Sequence, residues 1–280
     1  MSASPPIEHE PVTIIEPPAA WRLFDVAELW AYRELFWVLA ARDVKVRYRQ
    51  AVLGAAWAIV RPAAMMLLFT AVFGILARVP SDGLPYAIFV YTALLPWTFF
   101  ATAVAAAAQS LVGSAHLISK VYFPRLIIPF AATGAAIVDL FVSALLLLAL
   151  MAWYGIGWTP QLLLAPLAFV VLLLVTLGTG VLLAALTVAY RDFTHITPFL
   201  LQAWLYLTPV VFPASLVPPH WSWVLRANPM TGVVEAFRSA FLGRPLDTGS
   251  LAYSALAGIL LLTVGIAYFH RAERRFADII

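Results

Sequence analysis

Six apolar windows set the terms for this chain, at about 52–76, 86–111, 126–153, 162–189, 198–212 and 250–269. An α-helix rises about 1.5 Å per residue, so roughly 20 apolar residues reach across a hydrocarbon core about 30 Å thick. Lipid offers the backbone no hydrogen bonds, so a run of this kind crosses as a helix. Composition agrees, with 63% of the 280 residues hydrophobic and only 11% charged. The predicted fold class is an all-α membrane protein with six transmembrane helices.

Between the fifth and last windows lies "PASLVPPHWSWVLRANPMTGVVEAFRSAFLGRPLD". Proline breaks it too often for a simple span, yet it is too apolar for an ordinary loop. It reads as short re-entrant helices that dip into the membrane surface and return, which requires cover from protein or a water-filled cavity. The opening residues are acidic and proline-rich, without a basic start before an apolar core, so no secretory signal is expected there. The chain divides into a flexible cytoplasmic leader (1–24), an interfacial helix (25–50), a membrane domain (51–272) and a cytoplasmic tail (273–280).

Lysine and arginine set the orientation. Arg42, Lys45, Arg47 and Arg49 precede the first span, and Lys120 and Arg125 lie between the second and third. Arg191 follows the fourth span, and Arg271, Arg274 and Arg275 follow the last. Alternating spans put all of these on one side, so both termini are expected in the cytoplasm. The net charge of +3 therefore reflects topology, and nucleic acid is not an expected partner.

The stretch 29–50 mixes Leu29, Trp30, Leu35, Phe36, Trp37 and Leu39 with charged residues, which suits an amphipathic helix lying in the membrane interface. Within it "KVRYRQ" alternates like a strand, but a lone strand has no partner for its backbone at a membrane. As a helix, Arg42, Lys45 and Arg49 share one face and Asp43 is expected to pair with Arg47. These bases suit anionic lipid, with docking of a cytoplasmic partner as a further use.

Catalytic chemistry finds little to work with. Cysteine is absent, which excludes disulfides and thiolate metal sites. The histidines fall in different segments without metal-binding spacing, and no GxSxG occurs. Asp139 is the one acid well inside a span and so a functional candidate, with a neighbouring helix or Arg61 as its expected partner. Arg61, just before Pro62, either snorkels to the interface or faces a polar cavity. A phosphate-binding loop needs lysine after glycine, but Lys45 follows Val44 and Lys120 follows Ser119. If this chain pumps with ATP, another polypeptide supplies the motor.

The connector "SAHLISKVYFPRLIIP" (114–129) is short and basic. Pro124 disfavours helix at Phe123, so one helix should end there and another begin. Tyr122 and Phe123, rimmed by Lys120 and Arg125, suit an exposed docking knob; a packed turn between helices is the other reading. The connector "AYRDFTHITP" (189–198) carries Arg191 beside Asp192, either as a topology signal with a local pair or as a second partner contact.

Five motifs occur in order: "RDVKVRYRQAVLGAAWAIVRP", "LPWTFFATAV", "SLVGSAHLISKVYFPRLIIP", "AYRDFTHITPFLLQAWLYLTPVVFP" and "NPMTGVVEAFRSAFLG". Together, over about 25–278, they resemble the permease subunit of type-2 ABC exporters for bacterial surface polysaccharides, the O-antigen and capsule exporters. The resemblance implies six spans after an amphipathic helix, re-entrant helices before the last span, and residence in the bacterial inner membrane. It also implies a homodimer with two separate ATP-binding subunits, which hold ATP and Mg, while this chain binds no cofactor. The segment between spans two and three would couple to the ATPase, here through Lys120, Tyr122, Phe123, Pro124 and Arg125, with Arg191 and Asp192 as the second contact. The implied cargo is a lipid-linked polysaccharide; teichoic acid, a drug or a non-transport scaffold role are the alternatives.

A conduit for a sliding polymer must avoid tight sites, and aromatic rings stack on sugar faces without fixed register. Tyr91, Trp97, Phe99, Phe100, Trp204, Tyr206 and Phe212 are the candidates, several beside Pro96 and Pro209, although aromatics gather at membrane interfaces in any case. Arg42, Lys45, Arg47, Arg49 and Arg61 are candidates to meet the phosphate of a lipid carrier, since arginine binds phosphate in bidentate fashion.

Overall fold

The computed structural model describes residues 26–49, 54–118 and 120–273. The expected leader (1–24), Arg274, Arg275 and most of the expected tail lie outside the described residues, as does the start of the first window at 52. The described residues are helical throughout, joined by turns and short irregular segments, and contain no strand.

The segment expected to lie at the interface folds as two helices, α1 (Val26–Ala31) and α2 (Arg33–Tyr48), with Tyr32 at the joint. A stripe of Leu29, Tyr32, Leu35 and Leu39 recurs every three or four residues and, with Ala40, packs on Ile127 and Ala131. Trp30 and Trp37, seven apart, stay exposed.

Five helical segments among the described residues are long and apolar enough to cross a membrane. The first is α3 (Trp57–Phe69), continued by a π-helical stretch Thr70–Leu76 whose Gly74 lies under the Tyr86 ring. The second is α4 (Tyr86–Gly113). After the short α5 (Ala115–Ile118), α6 (Ile127–Ala132) and α7 (Gly134–Trp153) form the third. A 3₁₀ turn Pro160–Leu164 and α8 (Ala165–Ala189) form the fourth.

The expected fifth span at 198–212 is instead α9 (Phe193–Leu207), only 15 residues. Its rise of about 22 Å falls short of a bilayer core. It stops because Thr208, next to Pro209, takes the extended conformation that a following proline imposes. The broken segment holds two 3₁₀ turns, α10 (Ser222–Ala227) and α11 (Pro229–Leu242). Pro229 occupies the first turn of α11, the Asn228 side chain accepts from the Met230 N–H, and Gly243 ends the helix at φ 67°. Last comes α12 (Thr248–Glu273).

Glycine brings α8 and α12 into backbone contact. A methyl group added at Gly178 would lie 2.6 Å from the backbone nitrogen of Leu262, and one at Gly265 3.0 Å from the Gly178 carbonyl oxygen. Small residues let membrane helices approach this way. Gly232 of α11 leaves no room either, because a methyl there would fall 2.1 Å from the Ser250 carbonyl. α4 is the central helix, buried against α7, α8 and α11.

A separate apolar cluster joins Leu111, Ile118, Phe123, Val188 and Phe269, bringing the ends of α4, α5, α8 and α12 together. This is the basic end, with Lys120, Arg125, Arg191 and Arg271 around it. At the opposite end, Arg244 pairs with Asp82 (2.7 Å) and Ser215 donates to the same carboxylate (3.1 Å).

Candidate functional site

Toward the basic end, a cavity of about 460 Å³ lies between the last turn of α2 and helices α3, α4 and α7. Its walls carry Arg47, Tyr48, Trp57, Arg61, Thr98, Thr102, Asp139 and Ser143. Asp139 accepts from the Arg47 guanidinium and from the Tyr48 hydroxyl. Burial first, and then the hydrogen bond to Asp139, push the Tyr48 phenol up to about 12, so it remains a donor.

One pairing expectation is corrected here, and for Asp139 the neighbouring helix α2, rather than Arg61, supplies the partner. Asp43 pairs with its neighbour Arg42 at 2.9 Å, not with Arg47, and Asp139 is met by Arg47 and Tyr48, not by Arg61. The reason is packing. Ala40 sits against Gly134, where a methyl would lie 3.0 Å from its Cβ, and this lays the end of α2 over α7. A carboxylate inside a span needs a partner more than Asp43, outside the spans, does. Arg61 is exposed, with its guanidinium 6.0 Å from the Trp57 ring centroid. Arg42 and Lys45 on α2, and Arg49 just after it, are exposed.

A second polar network sits where α9 breaks. Asn228 accepts from Trp204 Nε1 (2.8 Å) and donates to the Leu207 carbonyl (3.1 Å) and Thr208 Oγ1 (2.9 Å). Arg238, 1% exposed, donates to the Val210 carbonyl (3.0 Å) and to Glu235 (2.8 Å). Its guanidinium stacks 3.8 Å from the Phe89 centroid. Tyr86 donates to the Val211 carbonyl at 2.5 Å. Carbonyls that the broken helix leaves unpaired thus find side-chain donors from α4 and the α11 region, as buried backbone requires.

In the 114–129 connector, Tyr122 is 63% exposed while Phe123 is 5% exposed within the basic-end cluster. This corrects the expectation of two exposed aromatics: one is an anchor of the turn and the other faces outward. Lys120 is exposed, Pro124 is half-buried, and half-buried Arg125 donates to the Glu273 carbonyl at 2.8 Å, tying the connector to α12. Burial and the nearby Glu28 and Glu273 carboxylates raise the Tyr122 phenol above its ordinary value. Arg191 and Asp192 are exposed in the second connector.

The conduit candidates divide. Tyr91, Trp97, Phe99 and Phe100 on α4 are all at most 5% exposed, inside the chain's own core. Tyr91 donates to the Ser143 carbonyl (2.9 Å), and Trp97, Phe100 and Trp204 form a ring cluster with centroids 5.5 and 5.1 Å apart. Trp204 and Phe212 are half-buried, and Tyr206 is exposed on α9, as is Phe199 seven residues earlier. Only the last group reaches a surface that a second chain could share in this conformation.

The profile of the ABC-2 type transporter family matches residues 34–242, from α2 through α11. The chain belongs to the ABC-2 type transporter family. The O-antigen export system permease protein RfbA of Myxococcus xanthus is 31% identical over 256 residues, covering 90% of this chain and 98% of the relative. A protein of the same name from Klebsiella pneumoniae is 26% identical over 250 residues, covering 88% and 95%. The polysialic acid transport protein KpsM of Escherichia coli is 24% identical over 242 residues, covering 84% and 92%.

In this ABC-2 transporter chain, sequence reasoning missed Tyr48, Asn228 and the threonine-lined wall of the cavity. Arg238, inside the broken segment, was not singled out either. The i,i+3 spacing of Glu235 and Arg238 within an otherwise uncharged helix is the signal that was there to find.

Proposed function

We propose that this chain is the channel-forming permease subunit of an ATP-driven exporter that moves lipid-linked polysaccharide, O-antigen or capsule, out of the cytoplasm across the bacterial inner membrane. The observation that carries this reading is end-to-end similarity to O-antigen export permeases, with 98% of one such relative covered. In this reading two copies form the conduit and two ATP-binding subunits, holding ATP and Mg, drive it. Both termini are cytoplasmic. α9 with the unwound stretch after it makes the fifth of six crossings, α10 and α11 are the re-entrant pair, and α12 is the sixth crossing.

Tyr122, with Lys120 and Arg125 beside it and Phe123 and Pro124 shaping the turn, docks the motor; Arg191 and Asp192 form the flanking contact. The exposed face of α9, with Tyr206 and Phe199, lines the conduit, with Trp204 and Phe212 at its edge. The buried rings of α4 shape that wall from behind. Arg47 and Arg61 receive the phosphate of the carrier in the cavity, and Arg42, Lys45 and Arg49 gather anionic lipid at its mouth. Deleting the gene should strip the surface polysaccharide and leave completed lipid-linked polymer on the cytoplasmic face. Normal surface polysaccharide in the deletion strain would refute the assignment.

A further inference from the structure

The cavity is charged unevenly. Two guanidiniums, Arg47 and Arg61, stand on its walls against the single carboxylate of Asp139. Asp139 is engaged by Arg47 and Tyr48, and both come from the last turn of α2, more than ninety residues earlier in the chain. Among the described residues Arg61 has no carboxylate partner. The remaining polar wall, Thr98, Thr102 and Ser143, is uncharged. Only the α2 end of the network depends on Asp139, because Leu39 and Ala40 hold the middle of the helix by apolar packing.

We infer that Asp139 is a resident counter-anion: it holds Arg47 and the end of α2 across the cavity and yields Arg47 to a phosphate group that enters beside Arg61. This rests on the reading that the cavity receives a phosphate-bearing carrier. A phosphate monoester or diphosphate offers two arginines bidentate partners, and wall hydroxyls can complete its shell. A carboxylate offers Arg47 the same geometry, so ligand and Asp139 compete for one cation. Removing the acid should therefore strengthen anion binding, whereas a purely structural acid would weaken binding or leave it unchanged when removed.

The test uses the full chain in phosphatidylcholine nanodiscs with dioleoyl phosphatidic acid as the lipid phosphate and inorganic phosphate as the soluble one. Because the chain has no cysteine, spin labels at Val46→Cys and Leu145→Cys report the distance between α2 and α7. Asp139→Asn should bind phosphatidic acid about three- to fivefold tighter than wild type. Its ligand-free label distance should already match that of the ligand-bound wild type. Arg61→Gln should weaken binding in both backgrounds. Tyr48→Phe, which keeps every charge, should lengthen the ligand-free distance and covers the case where Asp139→Asn fails to assemble. Unchanged or weaker binding by Asp139→Asn, with Arg61→Gln still weakening it, overturns the counter-anion role alone. No effect of Arg61→Gln removes the carrier site as well. Preference for inorganic phosphate over phosphatidic acid would uphold the exchange and move the ligand from lipid to solute.

Discussion

The molecule carries two polar networks inside apolar surroundings, and they are built differently. At the break after α9, Asn228, Arg238 and Tyr86 donate to backbone carbonyls, and Arg238 is 1% exposed. At the basic end, Asp139 meets Arg47 side chain to side chain, with 23% and 31% of the two side chains exposed, next to a cavity. The first network cannot exchange partners without unpairing buried backbone, which is costly in a water-poor setting. The second can exchange one charged partner for another. Buried polarity therefore fixes the fold at one end and leaves a site open to change at the other.

Substitutions can sharpen or break that contrast. Arg238→Ala removes the donor to Val210 and strands Glu235, and should cost about 3 kcal/mol of stability. Thermal unfolding of the purified chain, monitored by size-exclusion recovery, measures it. Asn228→Ala unpairs Trp204, Leu207 and Thr208 together and should cost about 2 kcal/mol in the same assay. Asp139→Asn should cost under about 1 kcal/mol, since the pair it breaks is partly solvated. A loss at Asp139 as large as that at Arg238 would erase the distinction between the networks. Tyr122→Ala should leave stability unchanged and abolish stimulation of the partner ATPase, read as phosphate release by the reconstituted complex. Full stimulation would remove Tyr122 from the motor contact.

Much of the architecture was legible because lipid leaves apolar runs one option. Hydropathy says that a helix crosses but not what it touches. α3 and α4 both read as spans, yet 17% of one window and 78% of the other are buried in the chain. Membrane helices are apolar on lipid-facing and protein-facing sides alike, so periodicity does not separate them. This is why the α4 aromatics looked like conduit candidates. The length of α9 was readable in principle, since Pro209 sets the conformation of Thr208. Asp139 stood out as an acid in a span, but Tyr48 and Arg47 reach it through the docking of Ala40 on Gly134, a contact that no local pattern encodes. Tyr122 and Phe123 are chemically alike neighbours, and only the path of the turn decides which one is buried.

The central claim is that this chain forms a conduit worked by a separate motor. Its most direct test is translocation of a fluorescent lipid-linked glycan across proteoliposomes holding the chain with or without its ATP-binding partner. The account predicts transport that requires both proteins and ATP, with none from the chain alone. Sustained uphill transport by the chain without the partner would contradict it.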